Sequence, residues 1–466
     1  MSNKLLSGLL AGAVTLPVSV LAADAPDVAE LQRMIADMQQ TYEARISALE
    51  ARVQQAEAKA AADQAVPLPP PPAPVQPVSQ GGAGAFNPAI SLVVQGSAAA
   101  YRQDPGSWTL PGFQLGGEAG LKSEGLSLTE TELTASANVD DWFYGQATIG
   151  LHEEDGATAV ELEEAFVDSL SLPGGLGLRA GRFYAETGYI NTRHTHAWDF
   201  ADAPLTSQAF LGKQYGDDGV RMTWLAPTDT FIELGAELLR GGAFPGGGDE
   251  GRLLGDTHNL FVRIGNDIGR DQSYRIGLSH LRTSPTDRGA GHAHAGHADE
   301  TFSFAGDSAL TALDLVYKWQ PAGGRGLVLQ GEYFHRDEDG LVSFSNDVGG
   351  ALLPYSGTQQ GFYLQGVYEI RPRWRMGLRY DQLWSDNSLA VTGNTSGEAD
   401  ADLLDESGLL SGYDPYRWTL MADYSRSDFS RLRLQYARDY TRPGLADDQF
   451  QLQYIMSLGA HGAHQY

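Results

Sequence analysis

Two short histidine runs carry the clearest chemical signal in this chain. Arg193-His-Thr-His-Ala-Trp-Asp-Phe200 places His194 and His196 on one side of an extended segment, with Asp199 and Asp202 close behind. Imidazole nitrogens and carboxylate oxygens together suit a borderline divalent cation such as zinc. Gly291-His-Ala-His-Ala-Gly-His-Ala-Asp-Glu300 adds His292, His294 and His297, near enough along the chain to reach one ion. His194, His196, Asp199, His292, His294 and His297 are therefore the candidate metal ligands, with ordinary polar loops as the alternative. No cofactor is required; zinc is the one suggested.

A second set of residues is electrostatic. Arg179, Arg221, Arg275, Arg375, Arg379, Arg431 and Arg433 recur at alternating positions, as do Glu233, Glu237 and Asp381. Rings of charge set selectivity in a pore by attracting one sign and repelling the other. If paired, the same groups merely keep an interior hydrated. Arg431 and Arg433 meet no acid on their own strand face before Asp439, so they are the best candidates for an anion ladder. No nucleophile elbow or phosphate-binding loop is present, and no enzyme activity is expected. A hydrolase assembled from separate strands is the least favoured alternative.

The elements that would position these groups are strands. In Trp374-Arg-Met-Gly-Leu-Arg-Tyr-Asp381, Trp374, Met376, Leu378 and Tyr380 share one face, while Arg375, Arg379 and Asp381 share the other. Such alternation recurs from Pro88 onward, and charges on the polar face fit a water-filled lumen with lipid outside. Tight turns fall at Asp140-Asp141, Gly174-Gly175, Pro227–Asp229, Gly269–Gln272, Ala322–Arg325, Arg371–Arg373 and Ser427–Phe429. Eight longer loops lie between them, giving about sixteen strands. The third loop, roughly Asn191 to Gly219, holds His194 and His196. Trp142, Trp224, Phe231, Trp319, Trp374 and Phe429 sit beside the tight turns, as an aromatic girdle at a lipid boundary would. Phe450, Leu452, Tyr454, Met456 and Leu458 form the clearest apolar face. The expected fold is all-β: an antiparallel transmembrane barrel over residues 86–466.

The first 85 residues have other periods. Lys4, an apolar run from Leu5 to Leu21 and small residues at Val20-Leu21-Ala22 read as a signal peptide over residues 1–22. Residues 23–65 carry apolar positions three and four apart, such as Leu31, Ile35 and Leu49, which predicts a periplasmic coiled coil and self-association. Residues 66–85 hold Pro67–Pro74 and then glycines, a stiff spacer with slack. The chain has no cysteine, which excludes disulfides and thiolate chemistry, and its net charge of -27 argues against nucleic acid as a partner.

Gly177-Leu-Arg-Ala-Gly-Arg-Phe-Tyr184 and the Leu452–Leu458 strand resemble the phosphate-selective porin family. That resemblance implies a sixteen-stranded, homotrimeric passive channel with its third loop folded into the lumen and a coiled-coil segment before the barrel. Its members use lysines at the constriction, whereas this barrel has only Lys122, Lys213 and Lys318. Arg193–Phe200 and Gly459-Ala-His-Gly-Ala-His464 are similar to stalked proteobacterial barrels often linked to zinc and sometimes called TonB-dependent receptors. This chain has no plug domain and too few strands for energised uptake. The expectation is an outer-membrane channel for small hydrophilic solutes or ions, in contact with lipid, with divalent metal involved. The alternative is a metal-binding surface or anchoring barrel with a closed lumen.

Overall fold

The computed structural model describes residues 88–154, 157–247, 257–289, 301–346, 349–390 and 408–459. The chain divides into two units, Met1–Gly84 and Ala85–Tyr466. The expected leader, coiled coil and linker lie outside the described residues, as do His292, His294 and His297. The second unit is built from β1 (Ala89–Tyr101), β2 (Gly125–Asn138), β3 (Phe143–Glu154), β4 (Ala157–Ser169), β5 (Leu176–Tyr184), β6 (Gly216–Leu225), β7 (Phe231–Leu239) and β8 (Thr257–Ile268). It continues with β9 (Gln272–Thr283), β10 (Thr301–Trp319), β11 (Gly326–Asn346), β12 (Gly349–Arg371), β13 (Trp374–Leu389), β14 (Tyr416–Ser427), β15 (Ser430–Tyr440) and β16 (Asp447–Gly459).

Each strand pairs antiparallel with its neighbours in sequence, and β1 pairs with β16 to close the barrel. A two-residue pairing at Arg288–Gly289 leans on β10. All seven tight turns fall where the sequence puts them, and the other eight connections join the strands at the opposite end. Six of these are long, but 155–156 and 347–348 are two residues each, because the flanking strands take up the residues expected in loops.

The burial pattern is that of a soluble protein turned inside out. On β13, Leu378 is 46% exposed and Arg379 is fully buried. On β16, Phe450, Leu452, Tyr454 and Leu458 face outward, while Gln449, Gln451 and Gln453 are buried. Trp142, Trp224, Phe231, Trp374 and Phe429 are exposed beside the tight turns. In water this outer surface would be strongly unfavourable; in a bilayer it is the required one. No helix among the described residues is long and apolar enough to cross a membrane. Crossing falls to the strands.

Among the described residues the pairing register shifts at four places; those at Glu369–Arg371 and Ser425–Ser427 sit beside tight turns, and the other two are β-bulges within the wall. Between β1 and β2, Gln95 pairs with Glu130 and Gly96 with Leu128, so Thr129 has no partner. Between β3 and β4, Thr148 pairs with Glu164 and Ile149 with Leu162, so Glu163 is the extra residue. An extra residue shifts the parity of everything beyond it. On β2, Leu126 and Leu128 face outward before the bulge and Leu133 after it, which turns Glu130 and Glu132 inward. On β4, the bulge aims Glu163 and Glu164 into the same interior.

The outer face gives a direct test. Leu434 lies mid-strand on β15 with its side chain outward. Leu434→Arg should destabilise the membrane-embedded barrel by about 2–4 kcal/mol, whereas Phe429→Arg at the rim should cost about 0–1 kcal/mol. Urea midpoints in lipid vesicles measure both. Equal costs would contradict the placement of the apolar belt.

Candidate functional site

The interior is occupied by two loops. Loop 1, residues 102–124, joins β1 to β2. Loop 3, residues 185–215, joins β5 to β6 and contains the helix α1 (Leu205–Leu211), which packs on β11, β12 and β13. Phe113 of loop 1 meets Phe210 of α1 edge-on at 5.6 Å, and Phe210 stacks on Phe334 of β11. Around them, Trp108, Leu110, Phe183, Leu205, Leu239 and Leu383 complete an apolar cluster inside the barrel. Gly212 ends α1 in the left-handed region (φ +61°). A Cβ there would lie 2.6 Å from the Gly116 carbonyl, so the two loops meet backbone to backbone, and the Glu118 N–H donates to the Gly212 carbonyl at 2.9 Å.

Loop 3 is held on the β13–β15 side by arginines. Arg375 donates to Asp199 at 2.7 Å and also pairs with Asp423. Arg379 Nη2 donates to Asp202 Oδ1 at 2.8 Å, and Arg417 Nη1 lies 3.0 Å from the other oxygen. Arg433 Nη2 donates to the Trp198 carbonyl at 2.7 Å. Elsewhere on the wall, Glu332 accepts from the backbone N–H groups of Tyr189 (3.1 Å) and Ile190 (2.9 Å). Glu237 accepts from the Glu186 N–H at 3.1 Å. Burial alone would raise the Asp202 carboxyl, yet Arg379 and Arg417 hold it down at about 2. Asp199 is half-buried and likewise held below the usual carboxylate range, chiefly by Arg375.

On the opposite side the wall is acidic and the loop supplies the cations. His194 Nδ1 lies 3.1 Å from Glu132 Oε2 and 3.2 Å from Glu163 Oε2, and its Nε2 lies 3.1 Å from Glu164 Oε2. His196 Nδ1 lies 2.8 Å from Glu132 Oε1, and the two imidazoles stack with centroids 5.7 Å apart. Burial disfavours a charged His194, but Glu132, Glu163 and Glu164 outweigh it and hold its pKa well above the ordinary imidazole value. Lys213, just after α1, pairs with Glu118 of loop 1 and lies 3.8 Å from Glu130.

The structure thus brings His194 and His196 together, as the sequence suggests, and adds carboxylates to them. Asp199 is not among those; it belongs to Arg375. Of the expected lumen residues, Arg179 pairs with Asp168 at 2.7 Å and Arg221 with Glu237 at 2.6 Å. Arg275 lies 3.9 Å from Asp314, and Glu233 accepts from Arg263 at 3.0 Å. Arg379 also donates to Asp381. Arg431 and Arg433 find their acid across the ladder: Asp423 of β14 is the register partner of Arg433 and lies 3.9–4.0 Å from both guanidiniums. Glu118, Glu130, Glu132 and Glu164 escape a reading of sequence alternation. The two bulges hide three of them, and irregular alternation in β2 and β4 is the one signal that could have pointed there.

Between the loops and the β1–β4 wall, space remains. A cavity of about 560 Å³ is bounded by Glu161, Glu163, Arg182, Tyr184, Asp217 and Asp218, and a second of about 380 Å³ reaches Gln95, Lys122 and Gln451. Gly117, Glu118, Glu130, His152 and Lys213 line both.

A closed sixteen-stranded barrel with an apolar outer belt, polar inner wall and inward third loop has the architecture of an outer-membrane porin. The chain belongs to the same family as an uncharacterized protein of Aquifex aeolicus (strain VF5), with which it is 30% identical over 367 residues, 74% of this chain and 71% of that one. No family model matches it. Among solved structures it is similar to a loop-deletion mutant of OmpT, an outer membrane protein of Vibrio cholerae (10% identity, 80% of this chain and 100% of that one, TM-score 0.48). It is also similar to the anion-selective porin of Comamonas acidovorans (10%, 80% and 100%, 0.46) and to the outer membrane channel DcaP of Acinetobacter baumannii (13%, 80% and 97%, 0.46). These likenesses are distant, and the functional reading rests on this barrel's own residues.

The arginine clamp has a pH signature. Asp202 titrates at about 2 in place and near 3.8 when released, so the clamp is fully formed above about pH 4 and weakens as pH falls toward 2. Asp202→Asn leaves Arg379 and Arg417 buried with Asp381 as their one shared carboxylate, at a cost of up to about 3–5 kcal/mol. Loop 3 of the variant should become cleavable by protease at pH 7. In the unmodified protein it should become cleavable by pepsin only below pH 4. Protection of the variant equal to that of the wild type would show that the clamp does not hold the loop.

Proposed function

We propose that this protein is a passive outer-membrane channel for small hydrophilic solutes, with a passage along the β1–β4 side of a lumen otherwise filled by loops 1 and 3. The observation that carries this reading is the pair of adjoining cavities on that side that share Glu118, Glu130, His152 and Lys213, a charged stretch within a mixed polar and apolar lining. The apolar cluster around Phe210 packs the other side, and the clamps fix loop 3 between them. Glu118, Glu130, Glu161, Glu163, Asp217 and Asp218 outnumber Arg182, Lys213 and Arg240 along the larger cavity, so cations are the favoured solutes. The sequence-named residues Arg179, Arg221, Arg275, Arg375, Arg379, Arg431, Arg433, Glu233, Glu237 and Asp381 serve in this reading as a wall that holds the loop. A divalent cation such as zinc is a proposed modulator through the loop histidines. A homotrimer joined through the N-terminal segment, with that segment on the periplasmic side, completes the proposal.

Planar-bilayer recording tests it. Purified protein should give discrete current steps in groups of three, with a reversal potential favouring cations in a salt gradient. Absence of steps would favour the second reading, a closed metal-binding or anchoring barrel, which the packing of the apolar cluster makes specific.

Lys122 supplies a sharper check. Its ammonium donates to the Ala201 carbonyl at 2.7 Å, and burial together with nearby Lys213 lowers its pKa to about 8 against the pull of Asp202 and Glu130. Raising pH from 7 to 9 should remove that positive charge and increase cation preference, seen as a shift in reversal potential. Lys122→Met should prefer cations more strongly than the unmodified protein at pH 7 and show a much smaller shift. An unchanged pH response in the variant would place the passage elsewhere.

A further inference from the structure

We infer that His194, Glu132 and Glu163 form a binding site for a borderline divalent cation of zinc-like chemistry, set where loop 3 meets the bulged strands β2 and β4. The site deepens the channel reading by naming what would bind beside its acidic cavity, although binding itself requires no conduction.

The geometry points to a ligand in three ways. His194 Nδ1 lies 3.1 and 3.2 Å from one oxygen of each carboxylate. Two ligand atoms each about 2.0–2.1 Å from a tetrahedral ion stand about 3.3 Å apart, so little movement is needed to admit one. The Glu163 side chain is only 8% exposed, yet its Oε2 makes no hydrogen bond of acceptable geometry, and neither does His194 Nδ1. Unsatisfied polar atoms buried in this way are costly unless something else satisfies them. Third, the would-be ligands are already braced from behind. His194 Nε2 faces Glu164 Oε2 at 3.1 Å, and Glu132 Oε1 faces His196 Nδ1 at 2.8 Å. A ligating imidazole whose other nitrogen donates to a carboxylate is the usual outer-shell arrangement, fixing the tautomer that leaves Nδ1 free to bind.

The donor set is one imidazole and two carboxylates, which suits zinc better than calcium or magnesium, since those prefer all-oxygen shells. The carboxylates that face His194 also favour a dication, which binds the neutral imidazole. Three protein donors leave a fourth position open for water, so bound metal should exchange. Access exists as well: Glu163 borders the larger cavity, whose acidic wall concentrates cations.

The test uses full-length protein in detergent, treated with chelator and titrated with zinc chloride by calorimetry. His292, His294 and His297 are replaced by alanine to remove competing loop histidines. One equivalent of zinc should bind, and Glu163→Gln or Glu132→Gln should weaken it by about tenfold or more. His335→Ala, on an outlying part of β11, should leave binding unchanged. Because a substitution could disturb the loop, X-ray absorption of the zinc-loaded parent protein provides an independent readout: a first shell of one imidazole nitrogen with oxygens is expected. Unchanged affinity in both glutamine variants, or a shell of several imidazoles or of oxygen alone, would overturn the site. Zinc binding that is lost in Glu163→Gln, but never alters current through reconstituted protein, would keep the site and count against the channel reading alone.

Discussion

A strand in lipid finds no water for its backbone N–H and C=O groups, so a membrane-spanning sheet must close on itself. Here closure falls between β1 and β16, paired from Ser91–Gly459 to Tyr101–Gln449. Everything else follows from it. Once closed, the sheet sends alternate side chains to two solvents, hydrocarbon outside and an aqueous interior within. The interior of this barrel is not open water, however, because loops 1 and 3 fill much of it. Charges on the inner wall are thereby desolvated, and a buried charge is tolerated only with a close partner. Arg379, Arg417 and Arg433 are fully buried, and each is answered by a loop carboxylate, a wall carboxylate or a backbone carbonyl.

That demand explains how loop 3 is oriented. Within nine residues it carries His194 and His196, then Asp199 and Asp202. The acids face the arginines of β13 and β14, and the imidazoles face the glutamates of β2 and β4. Rotating the loop end for end would set acids against acids and guanidiniums against imidazoles. Like-charge contact in a low-dielectric interior is far more costly than at a surface, so the charge order along the loop selects one placement. The wall is polarised to match, basic on one side and acidic on the other, and the cavity of about 560 Å³ lies on the acidic side.

How much of this could be read from sequence divides along physical lines. Strand faces such as Trp374–Tyr380 and Phe450–Leu458 were legible because each depends on a period of two within one strand. The seven tight turns were legible because glycine, proline and aspartate set backbone angles locally. Partners across the ladder were not: Arg431 and Arg433 had no acid on their own strand face before Asp439, and Asp423 reached them from β14. Register between strands is a property of pairing, which no single segment encodes. His194 and His196 stood out by spacing, but their carboxylates did not, since Glu132 and Glu163 lie far from them in the chain. Asp199 was nearest in sequence and went to Arg375 instead.

The two bulges connect these observations. Were Thr129 paired as in a regular strand, Glu130 and Glu132 would continue the outward parity of Leu126 and Leu128, facing lipid. Glu163 and Glu164 are adjacent, and a regular strand can turn only one of two neighbours inward; the bulge lets both enter. Bulges disrupt the ladder locally and tend to persist where they re-aim side chains. Here they gather carboxylates from β2 and β4 at one level of the wall, a concentration of negative charge that is unstable by itself in a loop-filled interior. Loop 3 and Lys213 supply part of the positive charge. The remaining imbalance is a standing attraction for cations from the cavity, so the irregular strands, the loop they hold and the charge of the passage are aspects of one electrostatic arrangement.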